Sequence, residues 1–197
     1  MLTWPRLDLV VPSHPRDQAQ LTRFLAAVSR QTYPKDRLKV HVITEGNSEE
    51  AKGHAALRAQ GDIVGFFCTD NDFPDPRFLE VMTRYAEDPA VDGAYTARYA
   101  HVPGDAPLSR YFALLGANDP VCWWLGKADR QSYAAAVPRT RIVEFHRRIP
   151  SLGDNGFFIK REVLRKVAFT PETFGSCMCI CEDLRRLGHA RYWVVAE

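Results

Sequence analysis

Gly61-Asp-Ile-Val-Gly-Phe-Phe-Cys-Thr-Asp-Asn-Asp-Phe-Pro-Asp-Pro76 is the stretch on which the reading of this chain turns. An apolar run from Ile63 to Cys68 breaks off at Asp70-Asn71-Asp72, and Pro74 and Pro76 stop any further strand. An amphipathic helix is predicted over Arg77–Ala86. A buried strand that delivers Asp70 and Asp72 at its carboxyl end is suited to a divalent cation, Mn²⁺ or Mg²⁺. Such hard cations take carboxylate oxygens and commonly complete their shell with substrate phosphates. The same triplet also suits a plain polar turn, where Asp and Asn serve the backbone.

Outward from this stretch the pattern alternates. Leu7–Pro12 reads as a short buried strand, followed by a helix over Asp17–Gln31 with Leu21, Phe24, Leu25 and Val28 at helical spacing. Asp17 or Ser13 is its candidate cap. Leu38–Ile43 alternates and is β-branched, a second strand. Glu49–Gln60 is alanine-rich and helical, with Gly61 as its C-terminal stop. This order predicts an α/β fold, a mostly parallel sheet with helices on both faces. Ligands of such sheets lie beyond the carboxyl ends of the strands. Three such ends are polar: Pro12-Ser13-His14, Thr44-Glu45-Gly46 and Thr69-Asp70-Asn71-Asp72. Pro12, Ser13, Asp70 and Asn71 are therefore candidate ligand contacts.

Beyond these units the periodicity weakens. Val91–Tyr99 reads as a strand, Leu108–Leu115 as a short apolar helix and Ala128–Ile149 as irregular and basic. Ser151–Ile159 is a polar loop running into a strand, with a helix from Arg161. Glu182–Leu187 is helical up to Gly188, and Arg191–Ala196 is a last strand. Trp123-Trp124 can stack on a sugar ring or simply fill the core.

Composition narrows the class. A chain of 197 residues, 46% hydrophobic and 25% charged, suits one globular domain. A net charge of +2 gives no reason to expect nucleic acid as a partner. No apolar run approaches the roughly 20 residues that cross a bilayer, and no secretory signal is visible. Five cysteines, an odd number, argue against a complete disulfide framework. Cys68 and Cys122 read as buried small hydrophobes, and Cys177, Cys179 and Cys181 alternate without a second cluster to complete a zinc site. Reduced thiols point to the cytoplasm.

Several stretches together resemble the inverting GT-A glycosyltransferases of family 2. They are Val10-Val-Pro-Ser13, Ser29-Arg-Gln-Thr-Tyr-Pro34, Ala59-Gln-Gly-Asp-Ile-Val64 with the acidic triplet and Pro74-Asp-Pro76, Gly153-Asp-Asn-Gly-Phe-Phe-Ile-Lys-Arg-Glu-Val-Leu164, and Glu182-Asp-Leu-Arg-Arg-Leu-Gly188. The resemblance covers most of the chain. It implies a single GT-A domain, with a nucleotide-sugar half over about 1–100 and an acceptor half over about 101–197. The strand-like end leaves room for a further C-terminal portion. The implied reaction moves a sugar, with inversion and metal assistance, from a nucleotide-diphosphate sugar, foremost a UDP-sugar. Its acceptor would be a saccharide or a lipid-linked acceptor of the cell-envelope polysaccharide kind. The implied location is cytoplasmic, at the inner face of the membrane where it touches lipid at all.

By the same resemblance Glu45 faces the nucleobase or ribose, Lys52 and Gly53 lie near the diphosphate, and Gly153 and Asn155 belong to the acceptor loop. Inverting transfer needs a general base. Counting back from Leu184 and Gly188 puts the family's carboxylate at Cys177 or Cys179, where a thiol stands instead. Asp183 is then the leading base, with Glu182 and Asp154 behind it. A degenerate domain that binds nucleotide-sugar without turnover is the alternative, and a nucleotidyltransferase is the other enzyme class. The latter expects a glycine-rich phosphate loop that Pro12-Ser13-His14-Pro15 does not supply.

Overall fold

The computed structural model describes residues 3–44, 48–73, 75–96, 104, 106–108, 140–144, 156–166, 184 and 186–195, with backbone alone over 48–51. Among them the chain runs β1 (Leu7–Pro12), α1 (Gln18–Ser29), β2 (Leu38–Ile43), α2 (Ser48–Arg58), β3 (Ile63–Phe66), α3 (Phe78–Glu87), β4 (Gly93–Thr96), β5 (Arg141–Glu144), β6 (Phe157–Lys160), α4 (Arg161–Leu164) and β7 (Arg191–Val195). The strands form one seven-stranded sheet in the order β2-β1-β3-β6-β4-β7-β5.

The sheet is mixed. Strands β1, β2, β3, β4 and β7 run one way, while β6 enters antiparallel between β3 and β4, and β5 runs against β7 at one edge. The expected α/β class and its helix-flanked sheet are present. The alternation of side chains along each strand sorts the core into two layers. On one face Val10, Val64, Phe66, Tyr95, Phe157, Ile159, Tyr192 and Val194 meet Ala55, Ala56 and Ala59 from and just after α2. On the other, Leu7, Leu9, Val11, Ile63, Ala94, Phe158 and Val195 meet Phe24, Ala27 and Val28 of α1 and Leu79, Met82 and Ala86 of α3.

Several expectations change in detail. Asp17 does not cap α1. Its carboxylate accepts the His14 N–H at 3.4 Å while the Arg16 N–H donates to His14 Nδ1 at 3.2 Å, closing a reciprocal box on the short turn Pro15–Asp17. α2 stops at Arg58, before Gly61. Gly61 is needed for close approach: a Cβ there would lie 2.8 Å from the Asp8 backbone nitrogen and 2.9 Å from the Arg6 carbonyl oxygen. The Val91–Tyr99 strand is described only as Gly93–Thr96. The basic stretch read as irregular contains β5, an edge strand whose Val143 alone is buried, so no alternating apolar pattern announces it. Cys68 is half-buried and in no disulfide among the described residues. Within Leu108–Leu115 only Leu108 is described, at the end of a helical pair and exposed; Cys122, Cys177, Cys179 and Cys181 lie outside the described residues.

Candidate functional site

The carboxyl edge of the sheet is where β1, β2 and β3 end together. The Ser13 N–H reaches the Ile43 carbonyl at 2.8 Å and the Phe67 N–H reaches that of Val10 at 3.1 Å, so the pairing continues past the strands. The entry to β6 is stitched to the same edge, with Gly156 N–H on the Phe66 carbonyl at 2.9 Å and Thr96 N–H on the Gly156 carbonyl at 3.3 Å. Gly156 has φ +75°, and a Cβ there would sit 2.6 Å from Thr96 Cγ2. Only glycine turns the chain there without a clash.

The acidic loop leaves β3 between two buried aromatic anchors. Phe67 and Phe73 pack edge to face at 5.1 Å, and both touch Phe24 of α1 at centroid distances of 5.9 and 5.4 Å. Phe73 also stacks on Phe78 at 5.1 Å. Between these anchors Thr69 is still buried, whereas Asp70 and Asp72 are exposed. Asn71 spends its side chain on the turn, its Oδ1 accepting the Cys68 N–H at 2.9 Å. Asp72 accepts the Phe73 N–H at 2.8 Å and has Arg30 at 3.7 Å, an exposed pair. Asp70 is exposed, and among the described residues its carboxylate has no hydrogen bond or ion pair.

Two buried polar groups border this loop. Ser13 is 6% exposed and its hydroxyl has no partner. Lys52, placed near the diphosphate by the resemblance, is 3% exposed, with Nζ 3.7 Å from Cys68 Sγ, two residues before Asp70. Burying an ammonium is costly unless a counter-charge offsets it. Gly53 beside it is buried, and Pro12 is half-buried at the end of β1. Glu45, Trp123, Trp124, Gly153, Asp154, Asn155, Glu182 and Asp183 lie outside the described residues. No three His, Cys, Asp or Glu side chains gather into a metal cage among the described residues. Asp70 and Asp72 therefore fit only a cation that completes its shell with other oxygens, which is how Mg²⁺ and Mn²⁺ sit on substrate phosphates.

The other titratable cluster of β1 is structural. Asp8, 4% exposed, accepts His41 Nε2 at 3.0 Å and the Gln60 N–H at 2.8 Å. Burial pushes its carboxyl upward, but the backbone bonds from Gln60 and Gly61 and the His41 ring outweigh this and hold it below the usual value. It lies at the amino edge, away from the acidic loop.

This mixed, helix-flanked sheet is a GT-A-like fold. The chain is similar over its whole length to mannosyltransferase PcManGT from Pyrobaculum calidifontis in complex with GDP-Man and Mn²⁺, with 15% identity, a TM-score of 0.61 and coverage of 55% of that chain. It is also similar over 98% of its length to S. aureus TarS 1-349 in complex with UDP-GlcNAc, with 14% identity, a TM-score of 0.63 and 56% of that chain covered. The chain thus spans a little over half the length of these structures. No protein-family model matches the sequence, and no curated protein matches it.

Proposed function

We propose that the chain is the nucleotide-sugar-binding domain of an inverting, metal-assisted glycosyltransferase. One observation carries the reading: the exposed Asp70 and the buried Lys52 stand on the same sheet edge, in a fold shared with proteins solved with GDP-Man and UDP-GlcNAc. A nucleotide-diphosphate sugar brings negative charge to this edge, and Lys52 meets it with a fixed positive charge. Asp70 and Asp72 would hold a divalent cation, which when bound supplies Lewis-acid neutralisation of the departing diphosphate. Ser13 offers an unpaired hydroxyl to the bound nucleotide, and Glu45 faces its base or ribose. Asp183 takes the proton of the acceptor hydroxyl, with Glu182 and Asp154 as the other carboxylates able to do so; Gly153, Asn155 and the Trp123-Trp124 pair receive the acceptor. No helix among the described residues is long and apolar enough to cross a membrane, which leaves a saccharide or lipid-linked acceptor equally open.

The test is a thermal-shift panel of UDP- and GDP-sugars with and without Mn²⁺, followed by single-turnover transfer. A true donor at 100 times its dissociation constant adds about 2.7 kcal/mol of stability. Of Asp183→Asn, Glu182→Gln and Asp154→Asn, one should abolish transfer while retaining donor binding. Donor binding without transfer to any acceptor would favour the degenerate domain, for which the cysteines at 177 and 179 are the motive.

A further inference from the structure

Gln31 is a neutral polar side chain only 3% exposed, one residue beyond Arg30 at the end of α1. Its amide is used at both ends. Nε2 donates to the Asp75 carbonyl at 3.0 Å, and Oε1 accepts the Leu79 N–H at 3.0 Å. That N–H belongs to the first turn of α3, where no intrahelical acceptor exists. Thr32 adds to the seam: its N–H and its hydroxyl both reach the Pro76 carbonyl, at 2.8 and 3.2 Å. The downstream limb of the acidic loop is thereby moored to α1, which is itself locked in the core by Phe24 and Val28. Upstream, the Asn71 turn fixes the loop to Cys68. Asp70 and Asp72 are carried between these two moorings.

We propose that Gln31 is a positioning residue for the Asp70–Asp72 loop, setting where its carboxylates meet a cation and diphosphate; the inference rests on the reading given under Proposed function. A purely apolar side chain of similar size would leave the Leu79 N–H without its acceptor and reduce the Asp75 carbonyl to its local bond from the Phe78 N–H at 3.1 Å, cutting the tie between the downstream limb and α1. Partners that orient metal-binding groups commonly govern affinity nearly as strongly as the ligands do. Gln31→Glu separates the two bonds. As a carboxylate it still accepts from Leu79 but opposes the Asp75 carbonyl; once protonated it can donate to that carbonyl again. The charged groups around it are Arg30, Lys35 (whose Nζ donates to the Gln31 carbonyl at 2.8 Å), Asp75 and Glu80.

The experiment compares the parent chain, Gln31→Leu and Gln31→Glu by Mn²⁺ spin-resonance titration with Mn²⁺ alone and with UDP or GDP, alongside amide hydrogen exchange. In Gln31→Leu, exchange should quicken over 68–79 while β1 and β3 stay protected. Its nucleotide-coupled Mn²⁺ affinity should fall by about ten- to a hundredfold. In Gln31→Glu the defect relative to the parent should be large at about pH 8 and shrink toward about pH 5 as the carboxyl takes up its proton. A merely structural role would lower the unfolding midpoint without this pH-dependent recovery. Parent-like Mn²⁺ coupling in both variants, or a Gln31→Glu defect that ignores pH, overturns the proposal. If Gln31→Leu does not fold, the pH dependence of Gln31→Glu decides alone. A parent that couples Mn²⁺ to neither nucleotide overturns the functional reading, and this inference falls with it.

Discussion

The two edges of the sheet treat their polar groups in opposite ways. At the amino edge they are closed into bonds. Asp62 accepts the Arg6 N–H at 2.9 Å, and Asp8 is held by His41 and Gln60. Asp88 accepts from Trp193 Nε1 and the Ala90 N–H, both at 2.8 Å, while Lys160 Nζ donates to the Asp88 and Val91 carbonyls. Asp92 is 2.7 Å from His189, whose other ring nitrogen faces Lys166 at 3.1 Å. At the carboxyl edge Asp70 and the Ser13 hydroxyl have no partner among the described residues, and Asp72 has the Phe73 N–H and an exposed arginine. Buried polar groups are normally satisfied; among the described residues the two buried side-chain exceptions are Ser13 on this edge and Thr83 in α3. Among the described residues the amino edge is the more fully bonded of the two.

That contrast predicts which mutations cost stability and which cost binding. The largest effect should come from beneath the acidic loop. Phe67→Ala, at the centre of the ring cluster, should lower unfolding free energy by about 3–5 kcal/mol in a denaturant titration. Lys52→Met should act on binding, with UDP or GDP affinity dropping by about 1.5–3 kcal/mol in calorimetry. A matching loss of stability would return Lys52 to the structural class.

Asp8→Asn tests the closed edge and should cost about 1–3 kcal/mol with nucleotide affinity unchanged. The sign of its pH dependence follows from the depressed carboxyl. Because the folded value lies below the reference of 3.8, the stabilisation is complete above that reference and is lost as pH falls through the lower folded value. Acid unfolding of the parent should therefore steepen below about pH 4, and Asp8→Asn should flatten that limb. The smallest effect is expected at Arg30→Gln. An exposed pair contributes about 1 kcal/mol at most, so freeing Asp72 should tighten Mn²⁺ by no more than about fivefold. A weaker Mn²⁺ site in that variant would show that Arg30 supports the loop and does not compete for its carboxylate.

The same asymmetry explains what the sequence could disclose. Strands β1 and β2 and helices α1 and α3 are legible because Leu7–Pro12 and Leu38–Ile43 are short apolar or alternating runs, and Leu21, Phe24 and Val28 keep helical spacing. Their ends fall within a residue or two of expectation, save that α1 stops short of Arg30 and Gln31. The reversed direction of β6 was not legible, because Phe157–Ile159 is apolar in either orientation and only pairing with β3 and β4 defines it. Asp70 and Asp72 were legible as an acidic strand end. The burial of Lys52 was not, since helical periodicity says nothing of what lies over a sheet edge. Gln31 stood out as part of a motif, yet its partners are 44 and 48 residues away, so its role appears only when the loop is folded back onto α1.

The central claim, that the carboxyl edge is a metal-assisted nucleotide-sugar site, is tested most directly by one calorimetric comparison. UDP and GDP are titrated into the parent and into Asp70→Asn, each with and without Mn²⁺. Mn²⁺ should strengthen binding of at least one nucleotide to the parent, and Asp70→Asn should lose this increment, about ten- to a hundredfold, with its unfolding midpoint unchanged. An identical Mn²⁺ increment in parent and variant, or no binding of either nucleotide to the folded parent, would contradict it.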